Sequence, residues 1–248
     1  HGAIDSKIIA GTKEHTFAGL IDESLGNLFR ESIKKDVAVA VANDTICLIL
    51  SGDGTEQGSM IAGTGFNLGI KKDAEEKTIL INIEAGNFNQ FEPSETLKII
   101  DEQSEKPGAY LFEKMISGKY LATLFDTKAN SLGITHPTIH TSQELSQLSH
   151  ETTTAQANLL ARGLLERSAF LVGAALAGLY RFSREKQIIK ETETLTIISE
   201  GSLLWKGWQY YDNVYKQLEL LGIPKEAIAI KHVQDSSIKG AIGLLMVV

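Results

Sequence analysis

The sequence predicts an α/β protein in which a three-stranded meander precedes a group of helices and then alternating strands and helices. Three observations support this order. Short β-rich segments interrupted by glycines occupy residues 59–85, helical apolar spacing covers much of residues 94–184, and strand-like and helix-like segments alternate over residues 195–247. With 248 residues, 43% apolar content and no linker-like tract, the chain is expected to form one continuous large domain.

The first elements lie before the meander. The apolar residues of FAGLIDESLGNLFRESIKKD, residues 17–36, are spaced like those of one amphipathic helix. Asp36–Ala42 is apolar on nearly every residue, which is typical of a strand covered on both faces. Asn43, Asp44 and Thr45 are all helix N-cap types, and ICLIL follows them. The pattern therefore predicts a short buried helix with a carboxylate at its N-terminus.

The meander and the helices after it follow from the same periodicities. Strands are predicted over Ser59–Ala62, Phe66–Lys71 and Thr78–Ala85, with Gly63, Thr64 and Gly65 in the first turn. Four helices are predicted next: Ser94–Gln103, Ala109–Ser117, Tyr120–Lys128 and Thr152–Arg184.

The last part of the chain alternates between the two periods. It is predicted to contain a strand, a helix, a strand and a helix: Leu195–Ser199, Trp208–Leu221, Ala227–Val233 and Ser237–Val247. A meander followed by such alternation is the arrangement of the ribonuclease H-like domain, which actin-like ATPases and many sugar kinases use twice. One full copy is predicted here.

Composition excludes several classes of protein. A net charge of −7 and a pI near 5.4 argue against a nucleic-acid partner, because such binding needs clustered Lys and Arg. Cys47 is the single cysteine, so no internal disulfide can form and a reducing, cytoplasmic location is expected. The longest apolar run, Ser168–Tyr180, is too short to span a membrane. The chain opens HGAIDSKIIAG, without an initiator Met or a secretory pattern, and we expect part of the protein to lie upstream.

Candidate site residues lie at the predicted turns. The glycines around Thr64 could leave backbone N–H groups free for phosphate oxygens, although a structural turn is the commoner role of such a hairpin. Asp44, Glu84 and Glu113 could singly be a helix cap, a strand-end charge and a solvated helix residue. Glu84 and Asn82 are, however, expected to share one face of the third strand, and with Asn67 they could offer several hydrogen-bonding groups to one polyhydroxylated ligand. Pro137 lies between His136 and His140, which favours a loop over a metal site.

Six sequence strings resemble the hexokinase family in order and spacing. They are VANDT at 41–45, IAGTGFN at 61–67, NIEAGNF at 82–88, KPGAYLFEKMISGKYLATL at 106–124, EGSLLWKG at 200–207 and IKGAIGLL at 238–245. The resemblance implies an ATP-dependent hexokinase in which Asp44 takes the proton from the sugar 6-hydroxyl. The other implied contacts are Asn43, Asn67, Glu84 and Glu113 with the sugar, Gly63, Thr64 and Gly65 with the ATP phosphates, and Gly201 and Ser202 with adenosine. Mg²⁺ would accompany the nucleotide, and no residue is expected to bind a metal directly.

The resemblance also implies a division of the chain. Residues 1–43 would be the tail of a small domain and the hinge, and residues 44–248 the large domain. The family's first phosphate loop and small-domain sugar loops have no counterpart here, so the missing N-terminal part would be a partner, and this fragment alone is expected to turn over sugar poorly. Ala85, Glu200 and Ile238 stand where the family usually has Trp, Asp and Gly. These departures leave open an alternative, a hexokinase-like sensor or regulator that binds sugar or nucleotide without turnover.

Overall fold

The computed structural model describes residues 19–33, 39–74, 77–151 and 155–246. The described strands are β1 (Gly58–Ala62), β2 (Phe66–Ala74), β3 (Lys77–Asn82), β4 (Leu195–Glu200) and β5 (Ile228–Lys231). The described helices are α1 (Leu25–Ile33), α2 (Asp44–Leu50), α3 (Glu95–Glu102), α4 (Leu111–Ile116), α5 (Gly118–Ser131), α6 (Ser142–His150), α7 (Gln156–Glu185), α8 (Ser202–Lys206), α9 (Tyr210–Leu220) and α10 (Ser236–Met246).

The strands form one five-stranded mixed sheet in the order β3-β2-β1-β4-β5. β1, β2 and β3 pair antiparallel, whereas β1 with β4 and β4 with β5 pair parallel. The predicted meander and α/β class are therefore confirmed. Ile61 is opposite Glu200 in the register, so the C-terminal ends of β1 and β4 lie side by side at the same end of the sheet.

The core lies between the sheet and a helical layer dominated by α7. Met60, Ile70 and Ile197, on β1, β2 and β4, are completely buried, and Phe125 of α5 and Leu176 of α7 pack in the same cluster. On the other side of the sheet α2 packs against α10. The apolar run that sequence analysis singled out forms part of α7, and no helix in the described ranges is long and apolar enough to cross a membrane.

Several predicted boundaries differ from the structure. The first helix begins only at Leu25, because residues 19–22 form a turn in which Asp22 has a φ of 71°. Of the predicted strand Asp36–Ala42, residues 36–38 lie outside the described residues. Residues 39–42 are not in a strand, since no described strand pairs with them. The third strand ends at Asn82 rather than Ala85.

Two described helices, α6 and α8, were not predicted. α6 begins with a local signal, because the Thr141 hydroxyl accepts a hydrogen bond from the Glu144 N–H at 3.1 Å and the Glu144 carboxylate accepts one from the His140 N–H at 2.8 Å. This reciprocal arrangement is close to a capping box. His136 and His140 lie in the loop between α5 and α6, as the proline between them indicated.

Candidate functional site

The residues predicted to form a sugar site come together around one opening of about 150 Å³. It lies where the start of α2, the start of β2, the turn after β3 and the start of α4 meet. Asn43, Asp44, Asn67, Glu84 and Glu113 line it together with Phe66, Gly86 and Tyr110. The structure therefore brings together all five side chains that the motifs suggested.

Asp44 is the first residue of α2, and the preceding Asn43 is the N-cap. The backbone N–H of Thr45 donates to Asn43 Oδ1 and to Asp44 Oδ1, both at 2.9 Å, and the Thr45 hydroxyl also donates to Asn43 Oδ1. The Asp44 carboxylate is exposed at the pocket. The pKa of the Cys47 thiol, one turn later, is raised chiefly by the burial of Cys47 and then by the negative charge of Asp44.

Hydrogen bonds of side-chain amides connect the elements that line the pocket. Asn82 Oδ1 accepts a hydrogen bond from Asn67 Nδ2 at 2.7 Å. It also lies 3.0 Å from the Thr45 hydroxyl oxygen, whose single proton it shares with Asn43 Oδ1. Asn82 Nδ2 donates to Glu84 Oε1 at 2.6 Å, and Asn67 Oδ1 accepts from the Ala85 N–H at 3.1 Å. Asn82 therefore connects Asn67 and Glu84 to Thr45 at the start of α2, and these directional contacts fix the positions of both side chains.

Glu84 reaches the pocket from a turn, which corrects its predicted position on a strand face. Its backbone is left-handed, with φ 53° and ψ 44°, and it precedes a 3-10 turn over Ala85–Asn87. Such a conformation is uncommon for a residue with a side chain and is often found at functional sites. The carboxylate is nevertheless hydrogen-bonded to Asn82, the residue with which it was predicted to share a face.

Glu113 is buried, with 4% of its surface exposed, and is not a solvated helix residue. Its Oε2 accepts a hydrogen bond from the Phe66 N–H at 3.0 Å, which is the kind of partner that a buried carboxylate requires. Gly86 packs directly against it. A Cβ at Gly86 would lie 2.8 Å from the Phe66 carbonyl oxygen and 3.1 Å from the Glu113 Cβ, so a glycine is needed for this approach.

Tyr110 is the main pocket residue that sequence reasoning missed. It is the N-cap of α4 with a left-handed backbone, φ 55°. Burial, and then the carboxylates of Glu84 and Glu113, raise the pKa of its phenol, so the hydroxyl keeps its proton and can donate. The sequence contained an indication of this contact, because Tyr110 lies three residues before Glu113 in the predicted helix and residues with that spacing share one side of a helix.

The glycine turns predicted to hold a nucleotide adjoin each other where β1 and β4 end. A Cβ at Gly63 would lie 3.0 Å from the Gly201 Cα, and one at Gly201 would lie 2.7 Å from the Gly63 nitrogen. Gly201 has a φ of 119°, a conformation that favours glycine. Thr64, at the tip of the first turn, is exposed, as is Ser202 at the start of α8.

The N-terminus of α5 supports the first of these turns. The N–H groups of Gly118 and Lys119 donate to the carbonyl oxygens of Gly63 at 2.7 Å and Thr64 at 3.2 Å. The buried Ser117 hydroxyl at the same helix end has no hydrogen-bond partner among the described residues. A polar pocket of about 280 Å³ lies beside Ser202. It is lined by Ser142, Gln143, Ser146, Gln147, His150, Ser202, Leu203, Lys206 and Gly207.

The three departures from the family pattern lie outside the opening around Asp44. Ala85 is half-buried and packs against the core. The Glu200 carboxylate, at the end of β4, accepts a hydrogen bond from the Ser236 hydroxyl at the start of α10. Ile238 is 65% exposed on α10. None of the three lines the opening around Asp44.

Comparisons with known proteins agree with this architecture. The family model described as Hexokinase matches residues 55–129 and 126–247. Hexokinase-3 from Homo sapiens is 29% identical over 143 residues, and Hexokinase-2 from Rattus norvegicus is 31% identical over 141 residues. Each match covers 48% of this chain and 15% of the relative, so the chain matches only a small part of these longer proteins.

Solved structures show the same fold over most or all of the chain. The structure of the hexokinase from Schistosoma mansoni complexed with glucose has a TM-score of 0.83 at 20% identity, and the match covers 100% of this chain and 67% of that protein. The ROK hexokinase from Thermus thermophilus has a TM-score of 0.59 at 16% identity, over 91% of this chain and 69% of the other. The fold is therefore that of the hexokinases and related sugar kinases.

Proposed function

The chain belongs to the hexokinase family, and from this premise we propose that it is the large-domain part of an enzyme that transfers the γ-phosphate of ATP to the 6-hydroxyl of a glucose-like hexose. One observation carries the proposal: five side chains from four separate motifs line a single small pocket at the start of α2. The adjoining glycine turns at the ends of β1 and β4 provide a second site for the phosphate donor.

The chemistry of the pocket suits a neutral polyol. Glu84 and Glu113 supply carboxylate acceptors, Asn43 and Asn67 supply amides, and none of the described residues that line the pocket is Lys or Arg. An anionic substrate would find no positive partner there. A buried carboxylate also penalises a sugar that lacks the matching hydroxyl, because the carboxylate would lose a hydrogen bond on desolvation.

Transfer also requires the two ligands to be close together. The proposed phosphate turn, Gly63, Thr64 and Gly65, is followed directly by the pocket residues Phe66 and Asn67. Gly63 and Asn67 are four residues apart, which a fully extended chain spans in at most about 14 Å. A nucleotide on the turn and a sugar in the pocket would therefore be close neighbours.

In the proposed mechanism Asp44 accepts the proton of the sugar 6-hydroxyl as that oxygen attacks the γ-phosphorus. The bond between the γ-phosphorus and the bridging oxygen breaks, and ADP leaves with its electron pair. Phosphoryl transfer depends chiefly on positioning and on stabilising charge, so the role of the amides, Glu84 and Glu113 is to hold the sugar with its 6-hydroxyl towards Asp44. Gly201 and Ser202, beside the polar pocket of about 280 Å³, would contact adenosine.

Mg²⁺ would arrive bound to the nucleotide phosphates. Over the described ranges, no three His, Cys, Asp or Glu side chains come together in a way that could hold a metal. The buried Ser117 hydroxyl near the phosphate turn, which has no hydrogen-bond partner among the described residues, is the kind of donor that a phosphate oxygen accepts. When bound, the ion would neutralise charge on the transferred group.

We also propose the domain division that the resemblance implied. Residues 44–248 would form the large domain, and residues 1–43 the tail of a small domain and the hinge. Among the residues of α1, only Gly26 is buried, which agrees with a segment that is completed by another part of the protein. The missing small domain would supply further sugar contacts, so this chain alone would bind sugar but turn it over poorly.

The test is an ADP-coupled assay of the full-length protein, with Asp44→Asn beside an Asp53→Asn control at an exposed carboxylate on the loop after α2. Loss of the base should lower turnover by about 100-fold or more and change glucose affinity little, because the base acts mainly in the transition state. Undiminished turnover in Asp44→Asn would refute the mechanism.

A further inference from the structure

Lys114 is a buried lysine whose charge has a specific set of partners. Only 2% of it is exposed. Its Nζ donates to Asp101 Oδ1 at 2.6 Å, to the Ser104 hydroxyl at 2.8 Å and to the Lys106 carbonyl oxygen at 2.9 Å. An ammonium group has three N–H donors, and these three acceptors use all of them.

Asp101 connects Lys114 to the far end of the loop formed by residues 103–109. It lies in the last turn of α3, and its second oxygen, Oδ2, accepts a hydrogen bond from the Gly108 N–H at 2.8 Å. The two side chains therefore tie both ends of residues 103–109 to α4. Gly108 has a φ of 81°, and Tyr110, two residues later, is also left-handed.

This loop leads directly into the wall of the sugar pocket. Tyr110 ends the loop and lines the pocket, and its carbonyl oxygen accepts the first helical hydrogen bond of α4 from the Lys114 N–H at 2.9 Å. Glu113 precedes Lys114, so the two side chains leave α4 in different directions. Glu113 contacts Phe66 in the pocket while Lys114 holds the loop.

We infer that Lys114 and Asp101 form a positioning clamp that sets the pocket wall made by Tyr110 and Glu113, and so controls sugar affinity. The inference rests on the proposed function of the pocket. A buried ion pair is often no more stabilising than apolar residues of similar volume, so stability alone does not account for one here. The geometric effect of the pair is to fix the left-handed backbone at Gly108, two residues before Tyr110, which lines the pocket.

Two variants and one control separate positioning from stability. Lys114→Met removes the donors at nearly constant length and leaves Asp101 without its ion pair. Lys114→Met combined with Asp101→Leu replaces the whole pair with apolar side chains, which should restore much of the stability. Lys98→Met is the control, because the described ion pairs of Lys98, which lies on α3, are with the exposed carboxylates of Glu92 and Glu95.

Each variant of the full chain is titrated with glucose and, separately, with ADP by calorimetry, and its thermal unfolding is followed by circular dichroism. We expect Lys114→Met to bind glucose about tenfold more weakly or worse, with ADP affinity unchanged, because small misplacements at a binding site have large effects. The double variant should regain thermal stability but not glucose affinity. The Lys98→Met control should match the unaltered chain.

Amide hydrogen exchange at Phe66 reports the clamp without any sugar, since that N–H is held by Glu113. It should be faster in both clamp variants. A double variant with normal stability and normal glucose affinity would overturn the inference. If the unaltered chain binds no glucose, the assignment of the pocket to a sugar fails. Unchanged hydrogen exchange of the Phe66 amide in Lys114→Met would separately overturn the clamp.

Discussion

Replacing Gly86 with alanine should disturb both stability and the sugar pocket. The added Cβ would lie 2.8 Å from the Phe66 carbonyl oxygen, 3.1 Å from the Glu113 Cβ and 3.3 Å from Glu113 Oε2. The closest of these is roughly 0.5–1 Å short of an ordinary van der Waals separation. The clash is with the backbone of β2, so a rotation of a flexible side chain cannot relieve it.

The expected cost follows from this geometry. Adding a methyl group to a packed site that must shift its backbone typically costs about 1–3 kcal/mol. In a chain of this length each kcal/mol lowers the melting temperature by about 2–4 °C, so the expected fall is roughly 2–12 °C. Relief would require movement of Phe66 or Glu113, and because both line the pocket, glucose affinity should fall as well.

Thermal unfolding by circular dichroism and glucose titration by calorimetry check these expectations. Gly163→Ala is the matched control, because this glycine lies inside α7 and a Cβ there would have no atom within 4 Å. It should stabilise the chain by about 0.5–1 kcal/mol through helix propensity and leave glucose binding unchanged. A Gly86→Ala protein with the melting temperature and glucose affinity of the unaltered chain would refute the reasoning.

Three further predictions follow from other parts of the structure. Gly201→Ala should weaken ADP binding and lower stability, because the φ of 119° at Gly201 disfavours a side chain and a Cβ would overlap the Ala62 carbonyl. Unchanged ADP affinity by calorimetry would contradict this. Ser168→Ala should cost about 1–3 kcal/mol in urea unfolding, since the Tyr210 hydroxyl, 2.7 Å from Ser168 Oγ, would be left buried without that partner; equal urea midpoints would count against it. Burial raises the pKa of Tyr210, so the folded state keeps a proton that the unfolded chain releases above about pH 10, and stability should fall there by up to about 1.4 kcal/mol per pH unit. Tyr210→Phe should make that alkaline fall shallower, and an identical slope in both proteins would exclude Tyr210 as its source.

Local patterns were sufficient for most of the fold. The meander could be predicted because its apolar runs are short and Gly63 and Gly65 separate the first two. α8 could not, because it has only five residues between Gly201 and Gly207, too few for a helix to be stable without tertiary contacts. Its buried residues, Leu203 and Leu204, pack in the core, and that packing stabilises it.

The candidate site was predictable in its members but not in its geometry. The alternation of Ile79, Ile81 and Ile83 continues the third strand past its real end, and nothing in a single sequence indicates that Glu84 adopts a left-handed backbone. Glu113 could be interpreted as solvated because its burial depends on Gly86, which is distant in the chain. Long-range packing of this kind is the part that local periodicity cannot supply.

The contact between the turns at Gly63 and Gly201 constrains how sequences with this fold can diverge. The two glycines are separated by more than half of the chain, yet the backbone of each occupies the space that a side chain on the other would need. Glycine has no side chain to shorten, so no substitution at one position makes room for a side chain at the other, and both positions should remain glycine in sequences with this fold.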